Sequence, residues 1–189
     1  LSELYKDGLQ REQFLPFISI LEENSIQKEL FLNDDYRLKN FNNGQRIFYP
    51  LNESTLFKIN KSFREFTRDK TKMIKKINTK GRDFIIDNFY DGIAKFKFTD
   101  LCDKNIGAED YINIAKISDH IFIEQIPVFD DNNSNQQLRF ITLIDILYEK
   151  KITLTLSLAN ELKFLGSSKK HLEMFKRTIS RLYEMTKIL

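Results

Sequence analysis

One cysteine, three prolines, six glycines and no tryptophan occur in the 189 residues of this chain. A lone Cys102 excludes an internal disulfide framework and points to a reducing compartment. No run of about 18 apolar residues exists, so the sequence contains no stretch that reads as a membrane-spanning helix. The glycines never fall into the spacing of a phosphate-cradling loop: Gly166-Ser167-Ser168-Lys169-Lys170 lacks the second glycine before its lysine. The chain by itself is therefore not expected to hydrolyse ATP. Two histidines, His120 and His171, stand far apart and far from Cys102, which gives no metal-ligand spacing. No nucleophile–histidine–acid motif stands out either. The formal net charge is only +3, too small to imply a nucleic-acid partner on its own.

What is present is the balance of a folded α/β protein: 41% hydrophobic and 30% charged residues. Phenylalanine occurs 17 times and must carry much of the core. Near the start, Pro16 fits only the first turn of a helix, which places a helix start close to Leu15 with Phe14, Phe17, Ile18 and Leu21 on its buried face. Arg11 then lies just ahead of that start, after Gly8. A guanidinium fixed at such a corner can reach a phosphate across an interface, although on spacing alone an ordinary surface arginine is the favoured reading. Ile26 to Leu32 reads as a strand, and Asn42-Asn43-Gly44 as a hairpin between 37–41 and 46–49. Asn52 or Ser54 caps a helix with Leu56, Ile59, Phe63 and Phe66 on one face. Three strands follow at Met73–Asn78, Arg82–Phe89 and Ile93–Phe98. Helices are expected over 108–117, 136–149 and from Leu172 to the end, with apolar strands at His120–Ile126 and Ile152–Leu158. Apolar strands separated by single helices indicate a parallel sheet.

Several charged groups invite a role. Between Lys70 and Arg82 six cations occur without an acid, which reads either as a binding strip for nucleic acid or a partner, or as a lysine-protected strand edge. Arg139 falls at the amino end of a helix, where the dipole disfavours a cation and a phosphate or carboxylate is needed to offset it. Arg177 and Arg181 lie four apart on the last helix, opposite its apolar stripe, and fit a solvated face or a phosphate contact. Glu124, Asp110 and Asp145 would serve a self-contained acid–base enzyme only if they converged in one pocket.

Leu4-Tyr5-Lys6-Asp7-Gly8-Leu9-Gln10-Arg11 with Phe14-Leu15-Pro16-Phe17-Ile18 resembles the segment after sensor 1 in ZapE-type (AFG-like) AAA+ ATPases. Asp35-Tyr36-Arg37-Leu38, Gly107-Ala108 with Asp110-Tyr111, Arg139 to Asp145 and Arg177 to Met185 resemble later blocks of the same family, in order. The resemblance implies an α/β fold: the end of an AAA+ core over residues 1–50, then a family-specific α/β carboxyl-terminal region over 51–189 with parallel strand–helix–strand units. It implies ATP and Mg2+, bound mainly by an upstream part that holds the P-loop and Walker B acid. It assigns Arg11 as the catalytic arginine finger given to a neighbouring subunit, and Arg139 and Arg37 as nucleotide-side residues. Arg139 follows Leu138 where the family usually shows a second arginine. The partners implied are a homo-oligomeric ring, a hexamer, and a protein client such as the tubulin-like cell-division protein, with no specific nucleic acid. The location implied is the bacterial cytoplasm, or the matrix side of the mitochondrial inner membrane in relatives, with peripheral association there. The alternative is a non-catalytic interaction module that binds nucleic acid or a protein through the basic region.

Overall fold

The structure is a computed structural model that describes residues 11–26 and 46–187. The chain divides into two compact units, Leu1–Asp34 and Asp35–Leu189. In the first, α1 (Arg11–Asn24) starts four residues earlier than the proline rule places it, and Pro16 lies inside the helix. Pro16 has no N–H to give back to the Glu12 carbonyl, so α1 lacks that hydrogen bond and Arg11 is its first residue, not a residue ahead of it. Along its expected inner face, Ile18 is buried but Phe17 is 47% exposed. The strand expected over 26–32 and the Asn42-Asn43-Gly44 hairpin fall mostly or wholly outside the described residues.

The second unit is built on a six-stranded mixed sheet in the order β1-β6-β5-β4-β3-β2. Its strands are β1 (Ile47–Phe48), β2 (Lys72–Thr79), β3 (Arg82–Tyr90), β4 (Ile93–Lys97), β5 (His120–Ile126) and β6 (Thr153–Leu158). β1, β6, β5 and β4 run parallel, whereas β3 and β2 are antiparallel additions at one edge. The parallel strands β5 and β6 are buried almost throughout, as expected when both faces of a sheet are covered. β1, although it lies within the first 50 residues, pairs with β6 through Ile47↔Leu156 and Phe48↔Ser157.

One face of the sheet carries α3 (Phe98–Cys102), α4 (Ala108–Ile117), α5 (Ser134–Glu149) and α6 (Leu172–Met185). α5 is the central member and contributes Phe140, Ile141, Leu143, Ile144 and Leu147 to the core. Around it Phe98, Phe129, Phe140 and Phe175 form an aromatic cluster with ring centroids 5.2–5.8 Å apart, which is where the missing tryptophan bulk is supplied. The other face is covered by α2 (Glu53–Thr67), whose Ile59 and Phe63 pack on Ile93 and Phe122. Asn52 caps α2, its Oδ1 accepting from the Thr55 N–H at 2.8 Å. Phe98, expected at the end of a strand, instead opens α3. Gly166 approaches the Phe129 carbonyl so closely, at φ +72°, that a Cβ there would come within 2.5 Å of it.

Candidate functional site

Three arginines were singled out for nucleotide chemistry, and they fall in different surroundings. Arg11 begins α1, five residues before Pro16. Arg37 lies outside the described residues. Arg139 sits in the second turn of α5, and its Nη1 donates to the carbonyls of Cys102 at 3.0 Å and Lys104 at 2.9 Å. These carbonyls lie at and just past the end of α3, where a cation is favoured, so the charge that α5 disfavours at its own start is offset by another helix's end. Neither a phosphate nor a carboxylate is needed for that balance. The guanidinium of Arg139 is thus committed to packing α3 against α5.

Of the two arginines expected on a solvated face, Arg177 stays 57% exposed and Arg181 is partly buried. Both bind Asp145 on α5, Arg177 at 3.1 Å, and the Arg181 guanidinium also lies over the Tyr148 ring at 4.8 Å. A carboxylate with two arginines on a neighbouring helix fixes the α5–α6 register. Asp110 is buried at the start of α4, accepting from the Gly107 N–H at 2.9 Å and from Arg82 at 3.3 Å. Glu124 is buried at the carboxyl end of β5, with Lys95 Nζ 2.8 Å from its Oε1. Lys95 also donates to Asn60 of α2 and lies over the Phe63 ring, so this lysine fastens α2 to the sheet. Each of the three carboxylates is therefore paired on a different part of the fold, Asp110 and Glu124 with one cation each and Asp145 with two. The acid–base pocket they would need to share does not form.

His120, at the start of β5, shares a hydrogen bond of 2.8 Å between Nε2 and Thr155 Oγ1 and stacks on Phe122. Burial, and secondarily Arg46, pushes its pKa down to about 4, so the ring is neutral at physiological pH. Burial likewise raises the Cys102 thiol far above its usual value, which makes it inert rather than nucleophilic. Among the described residues no group of three or more His, Cys, Asp and Glu side chains comes together to hold a metal. None of their helices is long and apolar enough to cross a membrane. Sequence reasoning missed the Lys95–Glu124–Asn60 link and the His120–Thr155 pair. The one signal for them was the alignment of polar residues on one parity of β4, β5 and β6.

The described residues thus supply structural ion pairs but no phosphate cradle. Comparison with known proteins adds what geometry alone does not. The family model for AFG1-like ATPase matches residues 2–189. Lactation elevated protein 1 homolog B of Danio rerio is 33% identical over 153 residues, covering 79% of this chain and 30% of that protein. Cell division protein ZapE of Escherichia coli is 26% identical over 183 residues, covering 97% of this chain and 49% of that protein. This chain therefore spans less than half the length of either relative. No solved structure matches it.

Proposed function

Because the chain belongs to the AFG1-like ATPase family, we propose that it is the carboxyl-terminal part of an ATPase that works as a ring of like subunits, with Arg11 lent to nucleotide bound by the neighbouring subunit. One observation carries this reading: the family match spans residues 2–189 and so takes in Arg11 with Gly8 before it and the helix that it begins. A guanidinium suits the task because negative charge spreads over the phosphoryl oxygens as the bond to the leaving group loosens. A planar, permanently charged fork stabilises that charge better than the point charge of a lysine.

ATP and Mg2+ belong, on this reading, mainly to residues outside this stretch, since Arg139 is engaged by backbone carbonyls and the sequence contains no glycine-rich phosphate loop. The second unit, with its sheet and helices, is then the family-specific region that transmits the nucleotide state to a protein client. The likeness to a cell division protein supports a client in the division apparatus; a cytoplasmic site of action, with the matrix side of the mitochondrial inner membrane as the alternative, is the location that the family resemblance implies. In the full-length protein, Arg11→Ala is expected to keep nucleotide binding within a few fold while turnover falls by about 10³-fold or more. Turnover at the wild-type rate in that variant would remove the assignment.

A further inference from the structure

β2 ends the sheet order, and no described strand pairs with its outer side. The turn that joins it to β3 is a two-residue one: Lys80 and Gly81 both have positive φ, at 49° and 80°, between the closing pair Thr79↔Arg82. In such a hairpin the closing pair exchanges hydrogen bonds, and pairing then alternates along the ladder. Thr79, Ile77 and Lys75 therefore bond inward to β3, whereas the backbone N–H and C=O of Lys76 and Asn78 face the open edge. The register stays regular from Lys75 to Thr79 and shifts only between Met73 and Lys75.

Two features distinguish this edge from one that lysines merely shield. Beside its turn end is a groove of about 310 Å³ between β2 and α4, lined by Asn78, Thr79, Lys80, Glu109, Ile112, Asn113 and Lys116, in which the one acid, Glu109, is paired with Lys80. Ile74 on β2 and Ile85 on β3 are 70% and 54% exposed. A strand laid along Lys76 and Asn78 would put alternate side chains into the groove and leave the others on the opposite face.

Charge decides what such a strand must be. Of the cations between Lys70 and Arg82, Lys76, Lys80 and Arg82 are paired with Asp83, Glu109 and Asp110. Among the described residues no ion pair with a carboxylate is found for Lys72, Lys75 or Lys116; Lys75 lies over the Phe89 ring and Lys116 donates to Asn113. No aromatic residue occurs from Lys70 to Lys80, so the strip lacks the stacking platforms on which single-stranded nucleic acid is held. We propose that the open edge of β2, with the groove beside α4, binds an extended acidic segment of a protein partner as an added strand. Backbone hydrogen bonds hold the segment in place, and the unpaired lysines select its charge. The inference needs no nucleotide and stands apart from the role of Arg11.

The test uses this chain and a fluorescein-labelled octapeptide of alternating valine and glutamate, followed by fluorescence anisotropy. Binding is expected, with at least tenfold loss when alternate peptide amides are N-methylated or when glutamate is replaced by lysine. Hydrogen exchange at the Lys76 and Asn78 amides should slow when the peptide is bound. The double variant Lys72→Glu, Lys75→Glu should weaken binding at least tenfold while its circular dichroism and melting temperature stay as in the wild type. The proposal is overturned by absence of binding, by equal binding of the N-methylated peptide, or by exchange protection elsewhere. It is equally overturned if an oligothymidylate of the same charge binds more tightly than the peptide, or if the chain dimerises and protects the same amides by itself.

Discussion

His120 shows how much a single residue's role depends on distant partners. Its ring lies between Phe66 and Phe122 at centroid distances of 4.8 and 4.7 Å, with Thr155 completing its hydrogen bonding. The folded protein holds it neutral down to about pH 4, while an unfolded histidine protonates near pH 6.5. Between those values the unfolded state binds the extra proton, so stability falls as pH is lowered from about 6.5 to about 4 and is unaffected by this group above that window. Relative to His120→Gln, the wild type should lose up to about 3 kcal/mol across it. Urea unfolding of the two proteins at stepped pH checks this, and parallel curves would refute it. The sequence placed His120 at the head of a buried strand and offered only the shared parity of polar residues as a pointer to Thr155, which is 35 positions away.

Among the elements, those with local punctuation were legible. α4 begins after Gly107 with Asp110 bonding back to the Gly107 N–H, and β5 stops at Pro127; both were read to their observed limits. α3 was not legible, because five residues carry no helical period and Phe98 is held by Phe129 and Phe140. α1 misled for the opposite reason: a proline is tolerated inside a helix at the loss of one hydrogen bond. Two substitutions probe this scale by thermal or urea unfolding. Asn52→Ala, which removes the α2 cap, should cost about 1 kcal/mol. Asp145→Asn should cost about 1–2 kcal/mol, because it leaves Arg177 and Arg181 facing each other across a half-buried site. No loss of stability in the second variant would mean that the α5–α6 contact rests on apolar packing alone.

For the whole molecule, the proposed shared site makes a complementation prediction. A full-length Arg11→Ala protein, mixed with a full-length protein whose own nucleotide-binding loop is disabled, should recover part of the turnover that each lacks alone, since each supplies what the other is missing. No recovery in mixed rings would mean that the arginine acts within its own subunit or not at all. The succession of β2 to β6 with α2, α4, α5 and α6 along the chain, the lysine-rich strand and the ordered family blocks were set by the sequence itself, because periodicity, turn chemistry and collinear motifs are local properties of the chain. Which charges meet was decided only by the tertiary structure. Register and crossover bring Arg139 to the end of α3, both late arginines to Asp145, and Lys95 to Glu124. No pattern of nearest neighbours encodes a meeting of groups 29 to 37 residues apart.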